Sequence, residues 1–339
     1  MVQGQKQAEC RRGRFDARVV INRQLCREHY LLRLRITSSF PPTLPGQFVQ
    51  LGCRTPDAVN ACDTLLGGEL TWSANQVGSV VATQPELCRP TALLRRPFSL
   101  AGRGEDENGT WIELVHRVVG VGTQWLAELG ENDAVDLIGP LGNWFEMPAD
   151  KSIGLLVGGG VGLPPMFYLA EQLQRCNWRA IAFVGAQAHD LLAVDFMEHA
   201  QIDPQGNATR CTEQFDRHGF ATVITTDDGS RGLRGFITDG LAYQLDRMSR
   251  NDKSQAVVFT CGPGPMMQAA ANLAAENAVD CQVCLEQSMA CGMGTCQSCV
   301  VKIEAPDADR HGTTDQGRPW RYRLACSDGP VFRAGQVLW

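Results

Sequence analysis

Before residue 150, short segments rich in Val, Ile, Leu and Phe alternate with turns, and this pattern predicts antiparallel strands. Segment 30–36 alternates apolar and charged residues with period two, which is typical of a strand with one buried face. Segments 15–21, 47–51 and 111–118 have a similar composition, and prolines and glycines mark the turns between them. These short strands together predict a small barrel.

After residue 152 the predicted strands are continuous apolar runs, which are typical of parallel strands buried on both faces. The strands are 153–157, 180–185, 221–226 and 256–261, and the helices that follow them are 166–174, 194–200, 237–248 and 266–276. This alternation predicts a parallel α/β sheet that binds its ligand at the carboxyl ends of the strands. Residues 158–165, Asp227 and residues 261–263 would converge there.

Two glycine loops lie where a phosphate-bearing ligand could bind. Residues 158–165 read Gly-Gly-Gly-Val-Gly-Leu-Pro-Pro between a strand and a helix, although prolines replace the late glycine of the usual dinucleotide fingerprint. Residues 120–123, Gly-Val-Gly-Thr, come before an apolar helix start, where backbone N–H groups attract anions. The second loop is compatible with a pyrophosphate and also with a plain strand-to-helix turn.

Three cysteines near the C-terminus, with a fourth further on, have the spacing of iron-sulfur ligands. Cys291, Cys296 and Cys299 give C-x4-C-x2-C, and Cys326 follows after 26 residues. This order matches the plant-type ligand spacing for a [2Fe-2S] cluster. A four-cysteine zinc site is the alternative, but it usually contains two C-x2-C pairs. Disulfides are disfavoured, because fourteen cysteines in 339 residues is a low density for a disulfide scaffold.

Composition and charge exclude several classes of partner. The net charge of -6 leaves no basic excess for binding nucleic acid. Residues 153–170 carry no charge, but five glycines and two prolines interrupt them, so no membrane span is predicted. We expect a cytoplasmic protein with reduced thiols. The six histidines are scattered, and we interpret them as surface or structural residues.

The order of short motifs resembles the ferredoxin-NADP reductase superfamily. The motifs are Arg-Pro-Phe-Ser at 96–99, Gly-Val-Gly-Thr at 120–123, Gly-Pro-Leu-Gly at 139–142, the glycine loop at 158–165 and Cys-Gly-Pro at 261–263. With the cysteine segment 284–299 and the closing segment 326–332, residues 14–339 are similar to the electron transfer subunits of two-subunit, NAD-dependent dihydroorotate dehydrogenases.

That resemblance implies a multidomain β and α/β architecture. An antiparallel FAD-binding β-barrel domain would span 14–148 with an insertion at 54–94. A parallel NAD-binding α/β domain would span 149–277, and a small [2Fe-2S] domain would span 278–339. Residues 1–13 are expected to be a flexible tail.

The resemblance also implies roles for individual residues. Arg96 would pair with the FAD pyrophosphate, which suits a guanidinium group, and Ser99 would lie near the flavin N5. Cys261 would lie beside the nicotinamide as a second catalytic residue, although a buried small side chain at a strand end is the alternative. FAD would also be held by Pro97, Phe98, Gly120, Gly122 and Thr123, and NAD by Gly159, Gly160, Gly162 and Gly262. The cluster ligands would be Cys291, Cys296, Cys299 and Cys326.

The function that the resemblance implies is electron transfer in pyrimidine (UMP) biosynthesis. Electrons would pass from an FMN-containing catalytic subunit, in a heterotetramer with two copies of each subunit, through [2Fe-2S] and FAD to NAD+. A flavin and iron-sulfur reductase subunit that serves a hydrogenase or an oxygenase is one alternative, and a metal sensor or scaffold without enzymatic activity is another. No arginine cluster follows residue 185 to hold a 2′-phosphate, which favours NAD over NADP. The insertion at 54–94 and the long 300–325 segment depart from the expected pattern and could alter partner contacts.

Overall fold

Residues 12–54, 92–306 and 309–339 are described by a computed structural model of the chain. Most of the predicted tail, 1–13, and most of the predicted insertion, 54–94, therefore lie outside the described residues. Within the described part, strand β1 already begins at Gly13.

The N-terminal unit is a closed, antiparallel six-stranded barrel, as the alternating pattern predicts. Its strands, in the order β1-β2-β5-β4-β3-β6 around the barrel, are β1 (Gly13–Cys26), β2 (His29–Ile36), β3 (Phe48–Leu51), β4 (Arg96–Asp106), β5 (Gly109–Arg117) and β6 (Ala134–Leu141). Leu32 and Leu34 of β2 face inward beside Ile112 and Leu114 of β5, and all four are fully buried. Period-two burial of this kind fixes the register, because a one-residue slip would turn these side chains to solvent. Helix α1 (Val121–Ala127) follows β5.

The central unit is a seven-stranded sheet covered by helices. Its order is β10-β9-β8-β7-β11-β12-β16, and only the last pair is antiparallel. The strands are β7 (Ile153–Gly159), β8 (Arg179–Ala186), β9 (Ala221–Thr226), β10 (Leu233–Arg234), β11 (Ala256–Cys261), β12 (Asp280–Cys284) and β16 (Val331–Arg333). The α-helices are α2 (Leu163–Arg175), α3 (Glu213–Asp216), α4 (Ile237–Arg247), α5 (Arg250–Gln255) and α6 (Gly264–Glu276), and short 3-10 turns are Gly160–Gly162, His189–Leu191 and Ala334–Gln336. The predicted α/β sheet is confirmed.

The prediction of a helix at 194–200 is wrong. The segment instead runs as extended chain and turn, with Ala193 and Val194 buried and Phe196 in a β-bridge to Thr212. The Asp195 N–H donates to the side-chain oxygen of Gln214. Partners distant in sequence therefore satisfy this backbone, and a local apolar pattern cannot reveal them.

The C-terminal unit packs against both other units. It contains the cysteine loop and a three-stranded antiparallel sheet, β13 (Val300–Glu304), β15 (Pro319–Leu324) and β14 (Gly312–Thr313). Two strands of the predicted cluster domain, β12 and β16, belong to the central sheet, so the predicted boundary at 278 falls before the last strands of that sheet. None of the helices in the described ranges is long and apolar enough to cross a membrane.

Candidate functional site

A cavity of about 1190 Å³ lies where the three units meet. The barrel contributes residues of the 96–99 motif and of the 120–123 loop, and the central sheet contributes the carboxyl ends of β7, β8, β9 and β11. The C-terminal unit contributes Cys284 to Gln287 and Met289, which lead into the cysteine loop. One partly open cavity therefore borders the two glycine loops, the 96–99 motif and the segment that leads into the cysteine loop. The predicted residues on its wall are Arg96, Pro97, Phe98, Ser99, Gly120, Gly122, Thr123, Gly159, Gly160, Asp227 and Cys261.

Two adjacent arginines precede the Pro-Phe-Ser part of the barrel motif, and their surroundings differ. Arg95 makes an ion pair with Asp136, and it also donates to the Asp136 carbonyl oxygen at 3.1 Å. Arg96 lines the cavity and donates to the carbonyl oxygens of residues 94 and 95. Among the described residues Arg96 contacts no carboxylate, so its guanidinium charge is available to an anionic ligand.

The 120–123 loop is shaped by one side chain. The Thr123 hydroxyl accepts hydrogen bonds from the Val119 and Gly120 N–H groups, at 2.9 and 3.2 Å, and donates to the Gly120 carbonyl at 3.0 Å. A β-carbon at Gly122 would lie 3.1 Å from the β-carbons of Cys53 and Ala92. Thr123 therefore holds the loop in shape, and the predicted contact of its hydroxyl with FAD phosphate remains a prediction.

The glycine loop after β7 packs directly against the end of β11. A β-carbon on Gly162 would lie 2.0 Å from the Cys261 carbonyl oxygen and 2.6 Å from the Gly262 nitrogen. Gly262 has φ +146 and Gly160 has φ +54, which are conformations that glycine adopts readily. Gly162 and Gly262 lie behind the cavity wall, where they set the distance between the two strand ends.

Cys261 lies at the end of β11 with its thiol beside that of Cys284 on β12. The two residues are register partners on parallel strands, and both are buried although they reach the cavity. The hydrogen bond with the Cys284 thiol, together with burial, raises the pKa of Cys261 well above its ordinary value. Cys261 is thus a protonated, neutral group at neutral pH, which is compatible with both of its predicted roles.

The cysteine loop brings the four predicted ligands together in two pairs. The Cys296 thiol interacts with Cys291, and the Cys326 thiol interacts with Cys299. Among the described residues no three Cys, His, Asp or Glu side chains are gathered around a single-ion position. A [2Fe-2S] cluster has two irons, so two pairs of thiolates suit it.

Backbone N–H groups in this loop point toward sulfur. The Met293 and Cys296 N–H groups each donate to the Cys291 Sγ at 3.4 Å, and Gly292 and Gly294 have φ of +71 and +89. Hydrogen bonds with Ser298, followed by those with Cys291, lower the pKa of Cys296 to about 6. Thiolate ligands and sulfur-directed N–H groups are what an iron-sulfur cluster requires, so these residues fit it.

One barrel residue connects the cysteine loop to the flavin motif. Gln50 of β3 is almost completely buried, at 1% exposure. With its amide nitrogen turned toward the loop, it donates to the Cys291 carbonyl at 3.3 Å and accepts from the Gly292 N–H at 3.2 Å. Gln50 is also the register partner of Pro97 in the barrel motif. The cysteine loop is therefore held against β3, the neighbour of the strand that carries this motif.

Several cavity residues were not predicted to belong to the site. They are His29, His116, Phe236, Cys284 and Glu286. The interpretation of all six histidines as surface or structural residues is incomplete, because His29 and His116 lie on the cavity wall. Glu286 directly precedes the cysteine loop, and burial raises its pKa. A single sequence offers no signal for these residues, because a polar side chain on a strand looks the same whether it faces a cavity or solvent.

Comparisons with known proteins agree with this geometry. Residues 286–338 match the family model "iron-sulfur cluster binding domain of dihydroorotate dehydrogenase B", and residues 156–272 match "oxidoreductase NAD-binding domain". The electron transfer subunit of dihydroorotate dehydrogenase B (NAD(+)) from Geobacillus sp. (strain WCH70) is 33% identical over 285 residues, which are 84% of this chain and 95% of the relative. The chain belongs to the family of dihydroorotate dehydrogenase B electron transfer subunits. The family member from Desulforamulus reducens is 32% identical over 73% of this chain and 81% of its own.

Solved structures of two reductases have folds similar to that of this chain. An NADH-dependent reduced ferredoxin-NADP oxidoreductase, studied for flavin-based electron bifurcation, superposes with TM-score 0.66 and 25% identity over 95% of this chain and 90% of its own. The ferredoxin reductase of carbazole 1,9a-dioxygenase shares the fold, with TM-score 0.55 and 19% identity over 79% of this chain and 67% of its own. The predicted oxidoreductase class and the predicted set of FAD, [2Fe-2S] and NAD are confirmed by the matched domains and the reductase fold.

Proposed function

We propose that this chain transfers electrons from a dihydroorotate-oxidising catalytic subunit through a [2Fe-2S] cluster and FAD to NAD+, as a step of pyrimidine biosynthesis. The observation that supports this most is the single cavity bordered by the 96–99 motif, the glycine loop after β7 and the residues that enter the cysteine loop. The other reductase function, serving a hydrogenase or an oxygenase, receives no support from the family membership.

The residues that would hold each group follow from the site. Arg96 and the 120–123 loop would bind FAD, and the four cysteines would ligate the cluster. Gly159 and Gly160 on the cavity wall would bind NAD, while Gly162 and Gly262 behind them would set the position of this loop. When bound, the cluster exchanges one electron at a time while FAD accepts two and exchanges hydride with NAD. The protein would fix these groups relative to one another.

Individual side chains contribute by position and charge state. The Arg96 guanidinium offsets the charge of a pyrophosphate. Ser99 presents its hydroxyl from β4 to the cavity, close to where a flavin ring bound to this motif would lie. The protonated Cys261 thiol presents a small neutral surface at the nicotinamide position, so that no thiolate charge opposes hydride transfer there.

The partner belongs to the same proposal. An electron transfer subunit requires a catalytic subunit, and we propose that it contains FMN and forms a heterotetramer with two copies of each chain. The four reduced thiols of the cluster site are best maintained in the cytoplasm, which we propose as the location.

The experiment that tests the function uses anaerobically purified complex, co-expressed with the candidate catalytic subunit. About two irons, two acid-labile sulfides and one FAD per chain are expected, with a [2Fe-2S] EPR signal after dithionite reduction. Dihydroorotate should then reduce NAD+ only in the complex. Zinc in place of iron, or NAD+ reduction that does not depend on dihydroorotate, would overturn the proposal.

Replacing Arg96 by glutamine is expected to weaken FAD binding by about 10-fold to 100-fold. A charge-assisted hydrogen bond to a phosphate contributes about 1.5–3 kcal/mol, and glutamine removes the charge and has a shorter side chain that still carries a hydrogen-bond donor. The FAD dissociation constant of the apoprotein, measured by quenching of flavin fluorescence, gives the result.

Arg95→Gln is the matched control for that variant. It breaks the ion pair with Asp136, so the midpoint temperature of thermal unfolding should fall. The affinity for FAD should change much less than in the Arg96 variant. Equal losses of FAD affinity in both variants would contradict a specific role of Arg96.

Replacing Gln50 by leucine is expected to slow electron exchange between cluster and flavin without removing either. Leucine fills the buried space but leaves the Cys291 carbonyl and Gly292 N–H without their partner, so the loop loses its attachment to β3. Stopped-flow reduction by NADH, followed separately at flavin and cluster wavelengths, should show normal flavin reduction and a slower second phase.

Gln47→Leu, on the same barrel segment but bonded to the Gly142 carbonyl, is the control. An unchanged second phase in the Gln50 variant would show that this attachment is unnecessary.

A further inference from the structure

Two histidines on the cavity wall have ring nitrogens without hydrogen-bond partners among the described residues. His29 on β2 and His116 on β5 are each only 2% exposed, and both border the cavity. Within the part of the chain that the structure describes, the Nε2 of His29 and both ring nitrogens of His116 are buried and unpaired. Buried polar groups in folded proteins are paired in the great majority of cases, so these three atoms call for a ligand.

Two contacts of His29 involve its Nδ1. This nitrogen lies 3.0 Å from the Arg27 carbonyl oxygen and 3.4 Å from the Cys26 Sγ. Because a carbonyl oxygen can only accept, the shorter of the two contacts favours the tautomer with the proton on Nδ1. In that tautomer the Nε2 is an acceptor, and it requires a donor from the ligand.

His116 is held firmly and is neutral. Its ring stacks on Tyr30 with centroids 5.7 Å apart, and the edge of Phe98 approaches it at 6.1 Å. Burial lowers the pKa of His116 to about 4, and burial also lowers that of His29. A neutral imidazole has one donor and one acceptor nitrogen, so the two unpaired nitrogens of His116 are one of each.

The location points to the flavin rather than to the nicotinamide nucleotide. Phe98 stands between Pro97 and Ser99 in the 96–99 motif, and the strand that carries His116 continues toward the 120–123 loop. Both histidines thus lie on the barrel wall, between the two segments assigned to FAD, whereas the NAD loop lies on the central sheet.

We propose that His29 and His116 form a hydroxyl-binding pair that takes the ribityl hydroxyl groups of FAD. Phosphate and carbonyl oxygens can only accept hydrogen bonds, so they cannot satisfy the acceptor nitrogen that neutral His116 has in either tautomer. A hydroxyl donates and accepts at once, which matches a neutral donor-acceptor pair. This inference rests on the proposed function, since it takes FAD to be the ligand of the barrel side of the cavity.

The test measures binding of FAD and of its 2′-, 3′- and 4′-deoxyribityl analogues to apoprotein prepared from the purified chain. His116→Phe keeps the aromatic stacking and removes both nitrogens, and it should weaken FAD binding about 10-fold, the effect of one lost hydrogen bond near 1.4 kcal/mol. At least one deoxy analogue should bind the unmodified protein about 10-fold more weakly than FAD, and His116→Phe should no longer distinguish that analogue from FAD. His29→Phe should also weaken FAD binding and should no longer distinguish FAD from one deoxy analogue. That analogue can be the one to which His116→Phe responds or another one.

Controls separate this inference from folding and from the proposed function. His116→Gln, which keeps a donor and an acceptor, should recover part of the affinity, and it replaces His116→Phe if that variant does not fold. His218→Phe, whose ring contacts Gln174 outside the cavity, should bind FAD normally. If the unmodified protein binds no FAD, the proposed function itself fails. The hydroxyl-binding pair would be overturned if neither histidine variant changed the tight binding of FAD. It would also be overturned if the variants distinguished FAD from every deoxy analogue as the unmodified protein does, or if they lost affinity for NAD+ instead of FAD.

Discussion

Replacing Cys326 by serine is expected to eliminate the iron-sulfur cluster while leaving the flavin site intact. Cys326 and its neighbour Cys299 are 2% and 1% exposed, so no other ligand can easily reach that half of the site. Serine is a poor ligand for iron at a site built for thiolates, and the second pair, Cys291 and Cys296, cannot hold two irons alone. Iron and sulfide should fall from about two each to below about a tenth of that.

The functional consequence separates the two halves of the electron path. Dihydroorotate-dependent reduction of NAD+ should fall to background in the complex, because electrons can no longer leave the catalytic subunit through the cluster. NADH oxidation with an artificial two-electron acceptor should continue at close to its normal rate, because the proposed FAD and NAD sites lie on the barrel and the central sheet.

Cys176→Ser supplies the control for this variant. Cys176 is an exposed thiol just after α2 and lies far in sequence from the cysteine loop. Full iron content in Cys326→Ser, or equal losses in the two variants, would contradict the assignment of Cys326 as a ligand.

The sequence was sufficient for the features that depend on local pattern. Period-two alternation predicted the barrel, and continuous apolar runs predicted the central sheet. Cysteine spacing predicted a cluster-binding segment, because a cluster constrains ligands that are close in the chain. The tail and the 54–94 insertion were also predicted, but they lie almost entirely outside the described residues.

The features that could not be predicted depend on contacts between distant segments. Gln50 and Gly292 meet although they lie far apart in the chain, and nothing near Gln50 distinguishes it from another polar residue on a strand. The donor and acceptor atoms of His29 and His116 become visible only when the barrel closes and leaves them facing a cavity. The failed helix at 194–200 has the same cause, since residues 211–214 supply partners for its backbone.

Gly162 belongs to a motif that the sequence reveals, but its closest contact depends on a segment distant in the chain. The glycine motif indicated a nucleotide loop, but only the structure shows how close this loop lies to β11. A β-carbon at position 162 would be 2.0 Å from the Cys261 carbonyl oxygen and 2.3 Å from its carbonyl carbon. Both sides of that contact are backbone, so no side-chain rotation can relieve it.

Gly162→Ala is therefore expected to push the loop away from Cys261 by about an ångström. Overpacking of this kind costs about 1–3 kcal/mol of stability, and a misplacement of about 1 Å in a reacting complex can lower the rate about 100-fold. The rate of flavin reduction by NADH, followed by stopped-flow, should fall by about that factor. FAD and iron content should stay unchanged, because the atoms nearest to a β-carbon at position 162 belong to Cys261 and Gly262.

Gly264→Ala tests whether the effect comes from this contact or from any loss of glycine near the site. Gly264 opens α6 close to the same strand end, and a β-carbon there would meet no atom within 4 Å. It should be neutral or slightly stabilising, since alanine is the better helix former. If Gly162→Ala reduced flavin as fast as Gly264→Ala, the nucleotide loop would not depend on its close approach to β11. A large loss of the flavin reduction rate in Gly162→Ala alone would instead show that the alignment of nicotinamide and flavin depends on the spacing of two strand ends. Glycine at position 162 permits that spacing.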